Sequence, residues 1–213
     1  MEIYTIGHSN YSLDRLIHML KHFNINCVVD ARKTPYSKYN VQFDKERLME
    51  SLKKAGFIYI YMGNELAAKR NDKSTYNEEG YSDFEKVIKE ECYINAVNRL
   101  KDGCNKGFKI AILGAVQDPI RCQRGILIGR TLRRDGVEVK HILDDYSIQS
   151  QEQLEEELLD KYFEDRGQIT IDSLLGEGMS EKDMIEEGYR LANREIGYRV
   201  ENIKKDKNSH HLN

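Results

Sequence analysis

Short apolar runs alternate with amphipathic segments through the first two thirds of this chain, and that alternation restricts the fold more than any other feature. Runs near 2–6, 26–31, 57–61, 108–114 and 137–142 have the length and side chains of buried strands. Between them Leu13, Leu16, Ile17 and Leu20 recur at helical spacing, as do Leu48 and Leu52, then Phe84, Val87 and Ile88, and later Ile126, Leu127 and Leu132. Strands that alternate with helices form βαβ units, whose crossovers are long enough for parallel pairing and right-handed. The pattern therefore predicts an α/β fold: a mostly parallel, doubly wound sheet of about five strands with flanking helices and a helical C-terminal extension.

The extension begins where the character changes, after Tyr146, dividing the chain into residues 1–149, an α/β domain carrying the site, and residues 150–213, an acidic helical extension. Leu154, Leu158 and Tyr162 make one stripe, and Met184, Ile185, Leu191, Ala192 and Ile196 a second behind Ser180, whose hydroxyl is a helix cap. Glu152 to Glu157 reads as a solvated face, and residues 204–213 as a frayed end. The extension holds 16 acidic and 9 basic side chains of the chain's 36 and 33, so the front is net +4 and the tail −7. A charge of +4 is too diffuse to announce nucleic acid, yet it suits an anionic small molecule or a nucleic acid end. The tail helices offer either a shield for that face or an arm for homo-oligomerisation.

No stretch approaches the roughly 20 apolar residues of a membrane span, and the N-terminus lacks a signal-peptide pattern, so no membrane partner is expected and the address is cytoplasmic. Cys27, Cys92, Cys104 and Cys122 show no paired spacing and are expected as free thiols. No two of His8, Asp30, Cys122 and His141 have a diagnostic ligand spacing, and the glycines form no phosphate fingerprint, so neither metal nor cofactor is expected.

The polar oddities fall just after the strands. His8, Ser9 and Asn10 follow the first; Asp30, Arg32, Pro35 and Ser37 the second; Asn64 and Glu65 the third; Arg121, Cys122 and Arg124 the fourth; and His141 ends the fifth. In a parallel sheet these ends share one edge, where open α/β folds place ligands. Arg121-Cys122-Gln123-Arg124-Gly125 sits between a strand ending at Gly114 and a helix starting near Gly125. A thiol there, beside guanidinium groups and a helix N-terminus, is a candidate nucleophile, and the same features would hold a phosphate with no chemistry at all. Packing as a small apolar group is the bland alternative. A phosphatase loop is rejected, because the sixth residue after the cysteine is Ile128 rather than arginine. His8 and Asp30 are the candidate proton carriers, and Ser9, Arg32, Ser37, Arg121 and Arg124 the candidate ligand-binding residues. His8 bonding a neighbouring carbonyl, Asp30 binding loop amides, Arg32 closing a salt bridge, and Ser37 shaping a turn are the competing structural readings. The tyrosines Tyr59, Tyr61, Tyr76 and Tyr81 surround a loop long enough to be a lid, though strand tyrosines usually belong to core or rim.

Together Thr5-Ile6-Gly7-His8-Ser9, Asp30-x-Arg32-x-x-Pro35-x-Ser37 and Pro119-x-Arg121-Cys122-x-Arg124 resemble the bacterial family numbered 488 among the domains of unknown function, over about residues 1–142. The resemblance implies an α/β fold and cytosolic proteins, and no established activity. Where that family usually shows Cys-Ala-Glu this chain has Gly114-Ala115-Val116, its Leu-Gly-Gly is Leu66-Ala67-Ala68, and its Cys-His-Arg is Cys122-Gln123-Arg124. An anion cradle survives those changes, whereas a Cys-His-Glu system does not. The residues leave three readings open: a thiol enzyme acting on a phosphate-bearing ligand, a non-catalytic phosphate or nucleic-acid module, and an oligomerising scaffold.

Overall fold

A computed structural model describes residues 1–163 and 179–200. The terminal stretch 204–213 and part of the acidic extension lie outside the described residues. Six strands form one sheet: β1 (Glu2–Gly7), β2 (Cys27–Asp30), β3 (Ile58–Tyr61), β4 (Ile110–Gly114), β5 (Glu138–Ile142) and β6 (Ile148–Ser150). Their order is β3-β2-β4-β1-β5-β6, with β1 to β5 mutually parallel and β6 antiparallel to β5. The five strands expected from periodicity all exist, and the sixth is a three-residue edge too short to carry a period of its own.

Both faces of the sheet are covered, which is why its central strands are apolar on both sides. Helices α1 (Leu13–His22) and α2 (Lys45–Lys54) pack Leu16, Leu20, Leu48 and Leu52 against Ile6, Val28 and Leu113 on one face. The other face buries Ile3, Val29 and Ile112 under the remaining helices. These are the short α3 (Gly63–Leu66) and α4 (Phe84–Val87), then α5 (Glu91–Asn105) and α6 (Arg130–Arg134), which continues a π-helical turn over Arg124–Gly129. Helices α7 (Gln151–Tyr162) and α8 (Glu181–Ile196) complete that face.

The main crossover after β3 is α5, with Tyr93, Ala96, Val97 and Leu100 inward, whereas the Phe84, Val87 and Ile88 stripe marks only the four-residue α4. The tail helices add Leu154, Leu158, Tyr189 and Ala192 to the same buried cluster as Ile3 and Ile112. Ser150 caps α7 with a reciprocal bond from Gln153, and Ser180 caps α8.

The chain moves from β1 to β3 over the α1 and α2 face and returns through α5 and α6 on the other. The helices that follow the adjacent strands β1 and β4 therefore lie on opposite faces, which puts the switch point of the sheet, where open α/β folds place ligands, at the carboxyl edge of these two strands.

Candidate functional site

That edge holds a cleft of about 630 Å³ lined by residues after β1, β2 and β4, among them His8, Ser9, Arg32, Ser37, Arg121 and Cys122. Strand ends meet here because β1 and β4 pair in register to Gly7 and Gly114, and the loop after β4 then folds over the end of β1. Gly7 makes that approach possible, since a Cβ on it would lie 1.9 Å from the Val116 carbonyl oxygen. His8 and Ser9 continue the pairing, their amides donating to the Gly114 and Ala115 carbonyls at 3.1 and 2.8 Å. Ser9 takes the left-handed conformation, φ 40°, as the chain turns away.

His8 is 6% exposed and stacks on Phe43 with ring centroids 4.1 Å apart. Its Nδ1 lies 3.0 Å from the Ser9 carbonyl and its Nε2 3.1 Å from Arg32 Nη1. An arginine only donates, so Nε2 accepts and Nδ1 carries the proton. Burial, and then the Arg32 charge, push the His8 pKa down to about 4, which keeps the ring neutral.

Arg32 is held from below by Asp30: Nε reaches Oδ1 at 2.8 Å and Nη2 reaches Oδ2 at 2.6 Å. The Arg32 amide completes Oδ1 at 3.0 Å, and the Tyr59 hydroxyl donates to Oδ2 at 2.7 Å. Both Asp30 oxygens are thus engaged beneath the cleft, and the Tyr59 phenol is pushed far above its ordinary range by burial and by that carboxylate. The chain Tyr59, Asp30, Arg32, His8 fixes one guanidinium edge and one neutral imidazole at the cleft wall.

Cys122 is extended, and its carbonyl accepts from Gly125 and Ile126, so the thiol stands just before the helical turn, as expected. Its side chain is 3% exposed, and Sγ donates to Gln123 Oε1 at 3.3 Å. The missing side chain of Gly114 makes room for it, since a Cβ there would lie 3.0 Å from Sγ. Arg124 is placed differently from the other candidates. It is wholly buried, with Nη1 and Nη2 on the Val116 and Gln117 carbonyls and Nε 3.2 Å from Thr5 Oγ1. It holds the loop whose outer surface lines the cleft.

Ser37 Oγ accepts from the Tyr39 and Asn40 amides, each at 3.2 Å, and so shapes its turn while lining the cleft. Lys33 and Arg121 bring two cations to the rim, and Asp118 is the one carboxylate among the lining residues. Burial, then Arg70 and Lys69, lower the Lys33 pKa. His141 lies behind the cleft, its Nδ1 2.7 Å from Thr5 Oγ1 and its Nε2 2.9 Å from Gln151 Oε1. Burial, and then Arg124, push its pKa down to about 3. The long loop after β3 contributes nothing to the cleft lining: Tyr76 is buried against Arg70, and Tyr81 bridges to Arg199.

The family model described as "Domain of unknown function DUF488" matches residues 12–131, more than half of the 213-residue chain. The chain belongs to this family. The match begins just after His8 and Ser9 and covers Asp30, Arg32, Ser37, Arg121, Cys122 and Arg124. No match was found among the curated proteins or the solved structures.

Among the described residues no group of three or more His, Cys, Asp or Glu side chains could hold a metal ion, and no helix is long and apolar enough to cross a membrane. Four residues now part of the site are not among the sequence's candidate site residues. Phe43 sits in a 3₁₀ turn without periodicity, Tyr59 reads as a core or rim residue of a strand, Gln123 is a departure from the family's pattern, and Thr5 is an ordinary strand threonine. Each acts through a partner more than 20 residues away or through its neighbour's thiol, which spacing does not reveal.

Proposed function

We propose that the cleft of this DUF488 protein binds a phosphate-bearing ligand. One observation carries the reading: three separate strand-end loops converge on a single polar cleft whose rim carries Lys33 and Arg121 and whose wall carries Arg32. Arg121 is exposed at the rim and its charge is felt by the Glu195 carboxylate of α8 without a close ion pair among the described residues, so an anion in the cleft competes only with that distant carboxylate for its guanidinium. Ser37 accepts two amide bonds and keeps its own hydroxyl proton to donate, and Ser9 adds a second hydroxyl. In this reading Asp30, His8 and Arg124 hold the binding groups in place. Calorimetric titration with inorganic pyrophosphate and with AMP tests it. Wild-type protein is expected to bind, and Arg121→Ala and Lys33→Ala are each expected to weaken binding about 10-fold or more, the range of a charge-assisted hydrogen bond. Absence of binding to both probes overturns the reading.

A second reading, favoured by the thiol lining the cleft just before a helical turn, makes Cys122 a nucleophile with His8 and Asp30 managing protons. Against it, Sγ–H is hydrogen-bonded to an amide oxygen and the His8 lone pair to Arg32. Alkylation at a limiting electrophile concentration separates the two: a nucleophilic Cys122 labels faster than the exposed Cys92, and Cys122→Ser abolishes turnover. A binding site keeps its affinity in Cys122→Ser.

A further inference from the structure

The segment after Arg32, residues 33–47, forms one lip of the cleft, and it displays aromatic surface that nothing in the fold explains. Tyr39 is 93% exposed and Tyr36 54%, and Val41 and Met49 beside them are also exposed. An aromatic ring usually buries most of its area in a core or against a partner. Tyr36 is nonetheless held in place, its hydroxyl donating to Glu46 Oε1 at 2.8 Å. The turn between the two tyrosines is held as well, by Ser37 Oγ and by Asp44, which accepts from the Ser37 amide at 3.0 Å. The Asn40 side-chain Nδ2 donates to Asn10 Oδ1 at 3.4 Å, tying this lip to the loop after β1.

Cations are interleaved with these rings. Lys33, Lys38, Lys45 and Arg47 lie on the segment with Asp44 and Glu46, and the two carboxylates are engaged by the Ser37 amide and the Tyr36 hydroxyl. Lys45 Nζ rests 3.9 Å from the Tyr61 ring centroid and Lys33 Nζ donates to Asn64 at 3.2 Å, so Lys38 is the cation set directly between the exposed rings. Across the cleft stands Arg121. Two exposed rings three residues apart lie within about 11 Å of one another at their Cα atoms. Lys38 between them, and a cationic cleft at one end, make a surface on which bases stack while the backbone meets positive charge.

Resting on the phosphate-binding reading above, we propose that the ligand is the end of a single-stranded nucleic acid. Its terminal phosphate enters the cleft toward Arg121 and Lys33, and its following bases stack on Tyr36 and Tyr39. The recognition is of backbone and ring faces, so it is tolerant of sequence. Flexible unpaired bases reach the rings, whereas a duplex keeps its base faces stacked inside.

Fluorescence anisotropy with a labelled, 5′-phosphorylated oligothymidylate of about 10 nucleotides, within the footprint of known single-strand sites, tests this. The oligonucleotide is expected to bind at least 10-fold more tightly than thymidine monophosphate and more tightly than a duplex of the same length. Tyr39→Ala is expected to weaken it roughly 5- to 100-fold, the worth of one base stack, while Tyr39→Phe retains affinity. Lys38→Ala is expected to flatten the slope of log affinity against log salt by about 0.7. Ribose and deoxyribose oligomers run in parallel distinguish RNA from DNA as the source of the strand. Because Tyr39 is almost wholly exposed, its variants keep the wild-type melting curve, and a shifted curve replaces the test with Lys38→Ala. An oligonucleotide that binds no more tightly than the mononucleotide, or equally in Tyr39→Ala, overturns the proposal, as does tighter binding of duplex or of phosphatidylserine vesicles. Pyrophosphate binding lost in Arg121→Ala but unaffected by Tyr39→Ala leaves the cleft reading standing, so the two failures are distinguishable.

Discussion

An imidazole beside a guanidinium keeps its lone pair for a hydrogen bond only while it is neutral, and His8 satisfies that condition through burial and through Arg32. Its folded pKa of about 4 lies below the ordinary 6.5, so between those values the unfolded chain binds more protons than the folded one. His141, at about 3, behaves in the same direction. Stability from these two groups is complete above pH 6.5 and is lost as pH falls toward 4 for His8 and toward 3 for His141, at up to about 1.4 kcal/mol per pH unit for each. Urea unfolding at a series of pH values is expected to show this slope, and His8→Gln to reduce it. Nitrogen chemical shifts should show Nδ1 protonated and Nε2 bare at pH 7. A midpoint for His8 near 6.5 would contradict the arrangement. Gly7 is the neighbouring backbone case. A Cβ against the Val116 carbonyl must push the loop outward, so Gly7→Ala is expected to cost about 1–3 kcal/mol or more in denaturant unfolding and to weaken pyrophosphate binding. His8, Arg32 and Cys122 could be found in the sequence as site residues because each follows a strand. Their bonding could not, because it depends on Phe43, Tyr59 and Gln123, which reach them across other loops or through a rotamer.

The π-helical turn Arg124–Gly129 has an identifiable cause. The Gln151 side chain inserts there from α7, its Nε2 donating to the Gly125 carbonyl at 3.0 Å. Gly129 leaves the room, since a Cβ on it would lie 2.2 Å from Gln151 Oε1. π turns of this kind release backbone carbonyls to other donors. Gln151 then accepts from His141, His141 accepts from Thr5, and Thr5 accepts from Arg124, which holds the loop on the cleft wall. On the far side Gln151 Nε2 donates to the Tyr189 hydroxyl, which donates to Glu155 at 2.9 Å. Gln151→Ala leaves the buried His141 Nε2–H without a partner, while the Gly125 carbonyl keeps the Arg130 amide, and is expected to cost about 1–3 kcal/mol in urea unfolding. It is also expected to change the His141 ring-nitrogen shifts, whereas Glu152→Ala, one residue away on the exposed side of α7, leaves them as they are. Periodicity announced α1, α2 and every strand of the parallel set, since apolar spacing is a local property. It understated α5, whose inward residues include Tyr93 and Ala96 among charged neighbours, and it had no means of marking a π turn, which is produced by a side chain arriving from another helix.

Charge asymmetry along the chain becomes a packing statement once the molecule is assembled. The arginines of α6 face the acidic tail: Arg133 meets Glu155 of α7 at 3.0 Å, and Arg130 and Arg134 both meet Glu186 of α8, Arg130 also reaching Glu85 of α4 at 2.6 Å. Such half-exposed pairs stabilise by little each. The larger contribution is apolar, because Leu154, Leu158, Tyr189 and Ala192 share one buried cluster with Ile126, Ile128, Leu132 and the sheet. The apolar stripes of the tail were legible in the sequence, but a stripe shows only which side of a helix is buried, not which surface it meets. A chain ending at Gln149 would strip this cover from one face of the sheet and remove the capping residue Ser150 with its helix. Burying several large apolar side chains is worth about 1.5–3 kcal/mol apiece, so their joint loss is comparable to the whole stability of an ordinary domain. The truncated chain is therefore expected to bind a hydrophobic dye, to lose its cooperative thermal transition and to aggregate on light scattering. If the tail were instead a detachable arm for self-association, the shortened chain would melt cooperatively, stay monomeric and bind pyrophosphate with unchanged affinity. That outcome would mean the face under α7 and α8 is covered by something other than the chain's own helices.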